Sequence, residues 1–197
     1  MWLDNLATFI ELGFRHILPL GLDHILFIVA IFLNARSWQS LLLQATTFTF
    51  AHTLTLGLAA AGLISAPARV VEPLIALSIA VLAIEAIIFK QSNRWRLPVI
   101  FGFGLFHGLG FGEIMKAYLE NADFAVGLGG FTIGVELGQL TVLAASAAVA
   151  FAASTVPKAL GKPELYRRVF VQPVATIIAL VGLYWTVQRM GLAPGGV

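Results

Sequence analysis

The run FRHILPLGLDHILFIVAIFL, from Phe14 to Leu33, decides the class of this chain. It matches the roughly 20 mostly apolar residues that carry a helix across a bilayer. Yet it holds His16, Asp23 and His24. An ionisable side chain at membrane depth is expensive and is generally retained because it binds or moves something. The pattern recurs: His52 interrupts the apolar run Leu41–Leu63, and His107 interrupts Leu97–Met115. Three imidazoles and a carboxylate at one depth point to a metal or proton site inside a membrane protein.

Composition agrees. The 197 residues are 59% hydrophobic and 11% charged, where a soluble domain carries about a quarter charged residues. A net charge of +2 without any basic run gives no footing for nucleic acid. There is no cysteine, which excludes disulfides, thiolate ligands and cysteine nucleophiles. A metal here must use imidazole, carboxylate, hydroxyl or backbone oxygen, which suits divalent Ni, Co, Zn, Cu or Mn.

Six apolar runs predict an all-α polytopic transmembrane bundle, one integral membrane domain over residues 1–197. The spans are 14–33, 41–63, 70–89, 97–115, 124–153 and 169–188. The fifth is long and glycine-rich, which implies a tilted or broken helix or a preceding irregular segment. The first residues lack the basic region of a signal peptide. Leu6, Phe9, Ile10 and Gly13 recur at helical spacing, predicting a short amphipathic N-terminal helix in the interface, or an extension of the first span. Arg36, Lys90, Arg94, Arg96, Lys158, Lys162, Arg167 and Arg168 all fall in the first, third and fifth links. That sidedness marks those links as cytoplasmic and turns both termini outward, in a bacterial inner membrane. The acids Asp4, Glu11, Glu72, Glu113, Glu120 and Asp123 then face outward and would gather cations, unless positive-inside sorting alone left them there.

Each span contributes candidate site residues. His16 and Asp23 are seven apart and share a helix face, with His24 one step round. Pro19 and Gly21 weaken the helix between them and could free a carbonyl toward a ligand. Asp beside His can ligate a cation and orient an imidazole; the alternative is a histidine bonded to a neighbouring helix. Thr49 shares a face with His52, although such hydroxyls often bond back to their own helix. Ser78 and Glu85 share a face of the third span. Glu85 either snorkels to water or serves as an exit-side carboxylate. Gly104, Gly108 and Gly112 form a small-residue ridge, as do Gly130, Gly134 and Gly138. The ridges predict that the fourth and fifth spans pack together, bringing Glu136 and Gln139 toward His107. They could equally serve a homo-oligomer contact. The sixth span has no central ionisable group and is expected to pack or shield.

The segments GLDHILFIVAIFL, TTFTFAHTLTLGLAAAGLI, VEPLIALSIAVLAIEAI, FGFGLFHGLGFGE and FTIGVELGQL, in this order, resemble the HupE/UreJ family of membrane proteins, in a divergent branch. The resemblance runs from His16 to Gln139. It implies hydrogenase- or urease-accessory function and a nickel or cobalt permease of six or more spans. The family's His then Asp-His motif is matched by His16, Asp23 and His24, with six intervening residues rather than five. Its Phe-His-Gly motif is matched by Phe106, His107, Gly108 and Glu113, but Phe111 stands where a second His would be expected.

Several functions remain open to the sequence. One is a permease for a divalent cation, Ni2+ or Co2+ before Zn2+ or Cu, held by Asp23, His24, His52 and His107. His16, Glu113 and Glu136 would assist. Another is an intramembrane zinc hydrolase, with the three mid-span histidines as ligands and Asp23 as general base. A b-type haem protein and an inert scaffold complete the set.

Overall fold

A computed structural model describes residues 2–90, 95–120 and 122–192, with side chains from residue 6 onward. Arg94 and the Asp4 side chain, used above for charge sidedness, fall outside that description. The helices are α1 Trp2–Ile17, α2 Leu22–Leu33, α3 Trp38–Ala60, α4 Ala68–Ile88, α5 Arg96–Gly110, α6 Gly112–Leu119, α7 Phe124–Ala159 and α8 Glu164–Arg189. No strand occurs among the described residues. Helices close their own backbone hydrogen bonds, which is what a bilayer core demands.

Three helices (α4, α7 and α8) are each long and apolar enough to cross a membrane, and counting each bent pair as one span raises this to five. The bent pairs are α1–α2, at 69°, and α5–α6, at 55°. α3 has the length, with 23 residues, but its threonines, glutamines and His52 hold down its apolarity. Large apolar side chains such as Phe50 and Leu54 on α3, Phe151 on α7, and Ile177 and Leu180 on α8 are exposed on the outside of the bundle. A hydrocarbon surrounding suits them.

The structure differs from the sequence expectation in two places. The first span is not continuous: α1 and α2 are separate limbs. The fourth breaks in the same way at Phe111, between α5 and α6. The N-terminal helix does not stand apart from the first span: α1 runs unbroken from Trp2 to Ile17, the extension alternative. It runs parallel to α7 within the bundle, where Gly130 meets Leu6 and Phe9, Gly134 meets Ile10 and Phe14, and Gly138 meets Ile17.

The two glycine ridges also find other partners than each other. Gly104 lies under Phe48 and Ala51, Gly108 under His52 and Thr55, and Gly112 under Ala59. So the fourth-span ridge packs on α3, and the fifth-span ridge on α1. A ridge of small residues shows that a helix can approach closely; it does not say which helix approaches. Both ridges are occupied within the chain, so these glycines offer no open face to a second copy. α8 seats Gly182 against Ala76 and Ala80 of α4.

Two arginines close helix ends. Arg96 Nη2 donates to the carbonyls of Ala30 and Ile31 near the end of α2, at 3.2 and 3.4 Å. Arg167 Nη2 donates to Ala86, Ile87 and Phe89 at the end of α4, each at 2.9 Å. Cations are favoured there by the free carbonyls and the helix dipole.

A Cβ at Gly108 would collide with the His52 carbonyl oxygen and Thr55 Oγ1, whereas nothing lies within 4 Å of one at Gly102. Gly108→Val is therefore expected to part α3 from α5 and cost about 1–3 kcal/mol or more. Thermal unfolding in detergent should show a clear drop for Gly108→Val and little change for Gly102→Ala.

Candidate metal centre

The site begins with a turn that only glycine permits. α1 ends at Ile17 and α2 starts at Leu22. Pro19, between them, has no N–H to continue a helix. At Gly21 the position of a Cβ is already taken by the His16 carbonyl oxygen, and it would lie 3.3 Å from His24 Nδ1. The demand here is for space, since Gly21 has an ordinary φ of −93°. The turn sets the His16 and His24 rings edge to face at 4.7 Å.

α3 then presents His52, with its ring 5.8 Å from His16 and 5.6 Å from His24. One nitrogen from each of His16, His24 and His52 lies within 4.8 Å of the others. Tetrahedral imidazole ligation at about 2.0–2.1 Å places nitrogens roughly 3.3 Å apart. Closing on an ion therefore takes shifts within the reach of side-chain rotation. His107, on α5, adds a fourth ring 5.1 Å from His24. Its Nδ1 is 2.9 Å from the Phe103 carbonyl oxygen. A carbonyl can only accept, so the proton sits on Nδ1 and Nε2 keeps a free lone pair.

Nε2 of all four histidines, and Nδ1 of His52, are buried without a hydrogen-bond partner. An orphaned buried polar atom is costly and calls for an explanation. Here such atoms converge. The rings are walled by Phe48, 4.9 Å from His107, Phe27, 5.2 Å from His107, and Phe111, 4.4 Å from His16. Phe131 stands 5.3 Å from His16 on the α7 side. Phe111, at the position where the motif would place a second His, thus closes the cluster with an aromatic face.

A cavity of about 860 Å³ leads to this cluster. Both helix breaks line it, through Gly21 and Asp23 on one side and Gly110 and Phe111 on the other, with Trp185 and Arg189 from α8. His16, His24 and His107 reach its wall; His52, fully buried, lies behind them. The cavity sits where α2 and α4 begin and α8 ends, away from the Lys- and Arg-rich links. Interrupted helices around a cavity are how transporters bring ligating groups into a membrane.

Residues 1–189 match the family described as HupE / UreJ protein. The chain belongs to the HupE/UreJ family. It is accordingly an integral membrane protein, and the family and the histidine cluster together relate it to metal in general. No curated protein and no solved structure matches it.

In this HupE/UreJ protein the other candidate residues are placed as follows. Asp23 does not turn into the imidazole group. Its carboxylate takes a two-pronged ion pair from Arg189, at 2.9 and 3.1 Å. Glu136 and Gln139 do not approach His107. Glu136 accepts from Thr46 Oγ1 at 2.8 Å and Thr49 Oγ1 at 2.6 Å, and Gln139 Nε2 donates to Thr49 Oγ1 at 2.6 Å. These bonds lock α3 to α7 beside the site, because the ridge that was to bring α7 to α5 packs on α1. Glu85 pairs with buried Arg96 at 3.5 Å and so anchors an interior cation. Ser78 donates to the Ile75 carbonyl of its own helix. Glu113 is exposed on α6 and lies outside the cavity lining.

Arg189 is the site residue that sequence reasoning passed over. Its only signal was a lone cation closing an otherwise apolar last span.

Because Gly21 holds His16 against His24, Gly21→Ala should pull the two rings apart. Binding of Co2+ to purified protein, followed by equilibrium dialysis, is expected to weaken roughly 10–100-fold, as for loss of a ligand-orienting contact. Gly129→Ala, where a Cβ meets nothing within 4 Å, should bind as the wild type does.

Proposed function

We propose that this chain is a membrane permease for a divalent transition-metal cation, Ni2+ or Co2+ foremost. The observation that carries the proposal is the convergence of His16, His24 and His52 nitrogens within 4.8 Å at the inner wall of a cavity lined by two broken helix pairs. Neutral imidazoles suit late first-row divalent ions. His107 stands next to the group as a second station, its free Nε2 prepared by the Phe103 carbonyl. An ion would enter from the acid-bearing outer side and leave His16 last on the way back or His52 last on the way in. Phe27, Phe48 and Phe103 pack together beside the cluster, Phe27 lying 4.7 Å from Phe48 and 6.4 Å from Phe103, and would form an aromatic plug. Alternating access then amounts to opening this aromatic plug while the α1–α2 side closes. Both termini are outward and the membrane is a bacterial inner membrane.

The zinc-hydrolase alternative has three histidine ligands available, but the carboxylate it would use as base is held by Arg189. Among the described residues no other carboxylate joins the imidazole group. That favours transport over hydrolysis.

Protein reconstituted in vesicles with an enclosed metal-sensitive dye tests the proposal. Wild type should admit Ni2+ or Co2+, and His24→Ala or His52→Ala should reduce the rate at least about tenfold, consistent with loss of a metal ligand. Glu113→Gln, at an exposed residue outside the cavity lining, should transport normally. Properly folded wild type that admits no divalent transition metal under any ion gradient would sink the proposal. Lowering the pH should weaken binding progressively, because protons compete for the same nitrogen lone pairs.

A further inference from the structure

The one charged ligand available near the imidazoles is tied up. Asp23 stands between Leu22 and His24 at the very start of α2, and it lines the same cavity as His16, His24 and His107. Arg189, in the last turn of α8, holds both carboxylate oxygens, at 2.9 and 3.1 Å. The two side chains are 23% and 21% exposed, so the pair is neither deeply buried nor fully in water. Arg189 has two further contacts. Its Nη1 donates to the Glu72 backbone carbonyl at 3.3 Å, and its guanidinium lies 5.3 Å from the centre of the Trp185 ring. Glu72 is itself a lining residue of the same cavity.

A divalent ion among neutral imidazoles would carry its full charge beside the Arg189 cation in a poorly screened place. Two events relieve this: Asp23 turns to the ion, and Arg189 leaves. Both are open to the structure. Asp23 is adjacent in sequence to His24 and stands just past the Gly21 turn, while Glu72, whose backbone carbonyl Arg189 already contacts, lines the same cavity and carries a second carboxylate.

Resting on the permease proposal, we infer that Arg189 sets the affinity and selectivity of the site by withholding Asp23, and that an arriving divalent cation displaces Arg189 from Asp23 toward Glu72. At rest the site is a set of neutral imidazoles, which discriminates against hard cations that need carboxylate oxygen. Only an ion that imidazole already holds well stays long enough to recruit Asp23.

The test measures Zn2+ and Mg2+ binding to detergent-purified protein by equilibrium dialysis. It is paired with the fluorescence of Trp185 in a background where Trp2, Trp38 and Trp95 are Phe. Zn2+ has a filled d shell, so a change in indole emission reports movement of Arg189 rather than quenching by the metal. Wild type should bind Zn2+ with a change in Trp185 emission. Arg189→Gln should bind Zn2+ roughly two- to fivefold more tightly, the scale of a partly exposed ion pair, gain measurable Mg2+ binding, and lose the emission change. Asp23→Asn should bind Zn2+ more weakly and also lose it. Arg189→Lys, which keeps the charge but not the two-pronged grip, should fall between wild type and Arg189→Gln. If folded Arg189→Gln and Arg189→Lys bind Zn2+ no more tightly than wild type, the ion pair is only a brace between α2 and α8 and the inference is overturned. If wild type itself binds no divalent transition metal, the permease proposal fails first, and the two failures are told apart by the wild-type dialysis alone.

Discussion

The carbonyl oxygen of His16 occupies the space where any residue but glycine at position 21 would put its first side-chain carbon. From that contact much else follows. Glycine there lets the chain turn tightly between α1 and α2, and the first apolar run becomes two limbs at 69°. The two limbs then present His16 and His24 from opposite sides of the turn. A continuous helix would have set them eight residues apart along one rod, more than two turns, with no common focus. The break also opens the cavity, because two bent limbs cannot fill the volume that one straight helix would. The second break, at Phe111, faces the first across that cavity and supplies Phe111 and His107.

The cluster that results is aromatic. Four imidazoles pack against one another and against Phe27, Phe48, Phe111 and Phe131, some edge to face and others tilted. Charge is kept out of it. Asp23 is neutralised by Arg189, Glu85 by Arg96, and Glu136 is answered by threonine hydroxyls. Two arginines counted in the sequence as markers of sidedness also do local structural work: Arg96 and Arg167 satisfy the carbonyls that α2 and α4 leave open. Separating charges from the imidazoles lets neutral donors decide what binds, in keeping with the preference of the late divalent metals for nitrogen.

Much of the fold was legible because a bilayer leaves few choices. Apolar length marks helices, and α3, α4 and α7 start within three residues of the predicted spans. The histidines were legible as candidates because burying them has a cost that demands a reason. Pro19 and Gly21 signalled the weakness in the first span. What could not be read was which surfaces meet. Gly104, Gly108 and Gly112 announce a close contact, and so do Gly130, Gly134 and Gly138, but spacing carries no address. Their true partners, α3 and α1, moved Glu136 and Gln139 away from His107 and made His16 a neighbour of His24 and His52.

The sequence by itself determined the helical membrane class, the weak point at Pro19 and Gly21, and the histidines that had to be explained. Each of these rests on a local property: apolar run length, a missing Cβ, or the desolvation of a ring. Only the tertiary structure decided that His16 joins His24 and His52, that His107 stands beside them, and that Asp23 answers to Arg189 from a helix 166 residues away. Those pairings depend on how separate helices are turned about their axes. In a membrane that rotation is set by close packing of small residues against particular neighbours, not by any pattern within one segment.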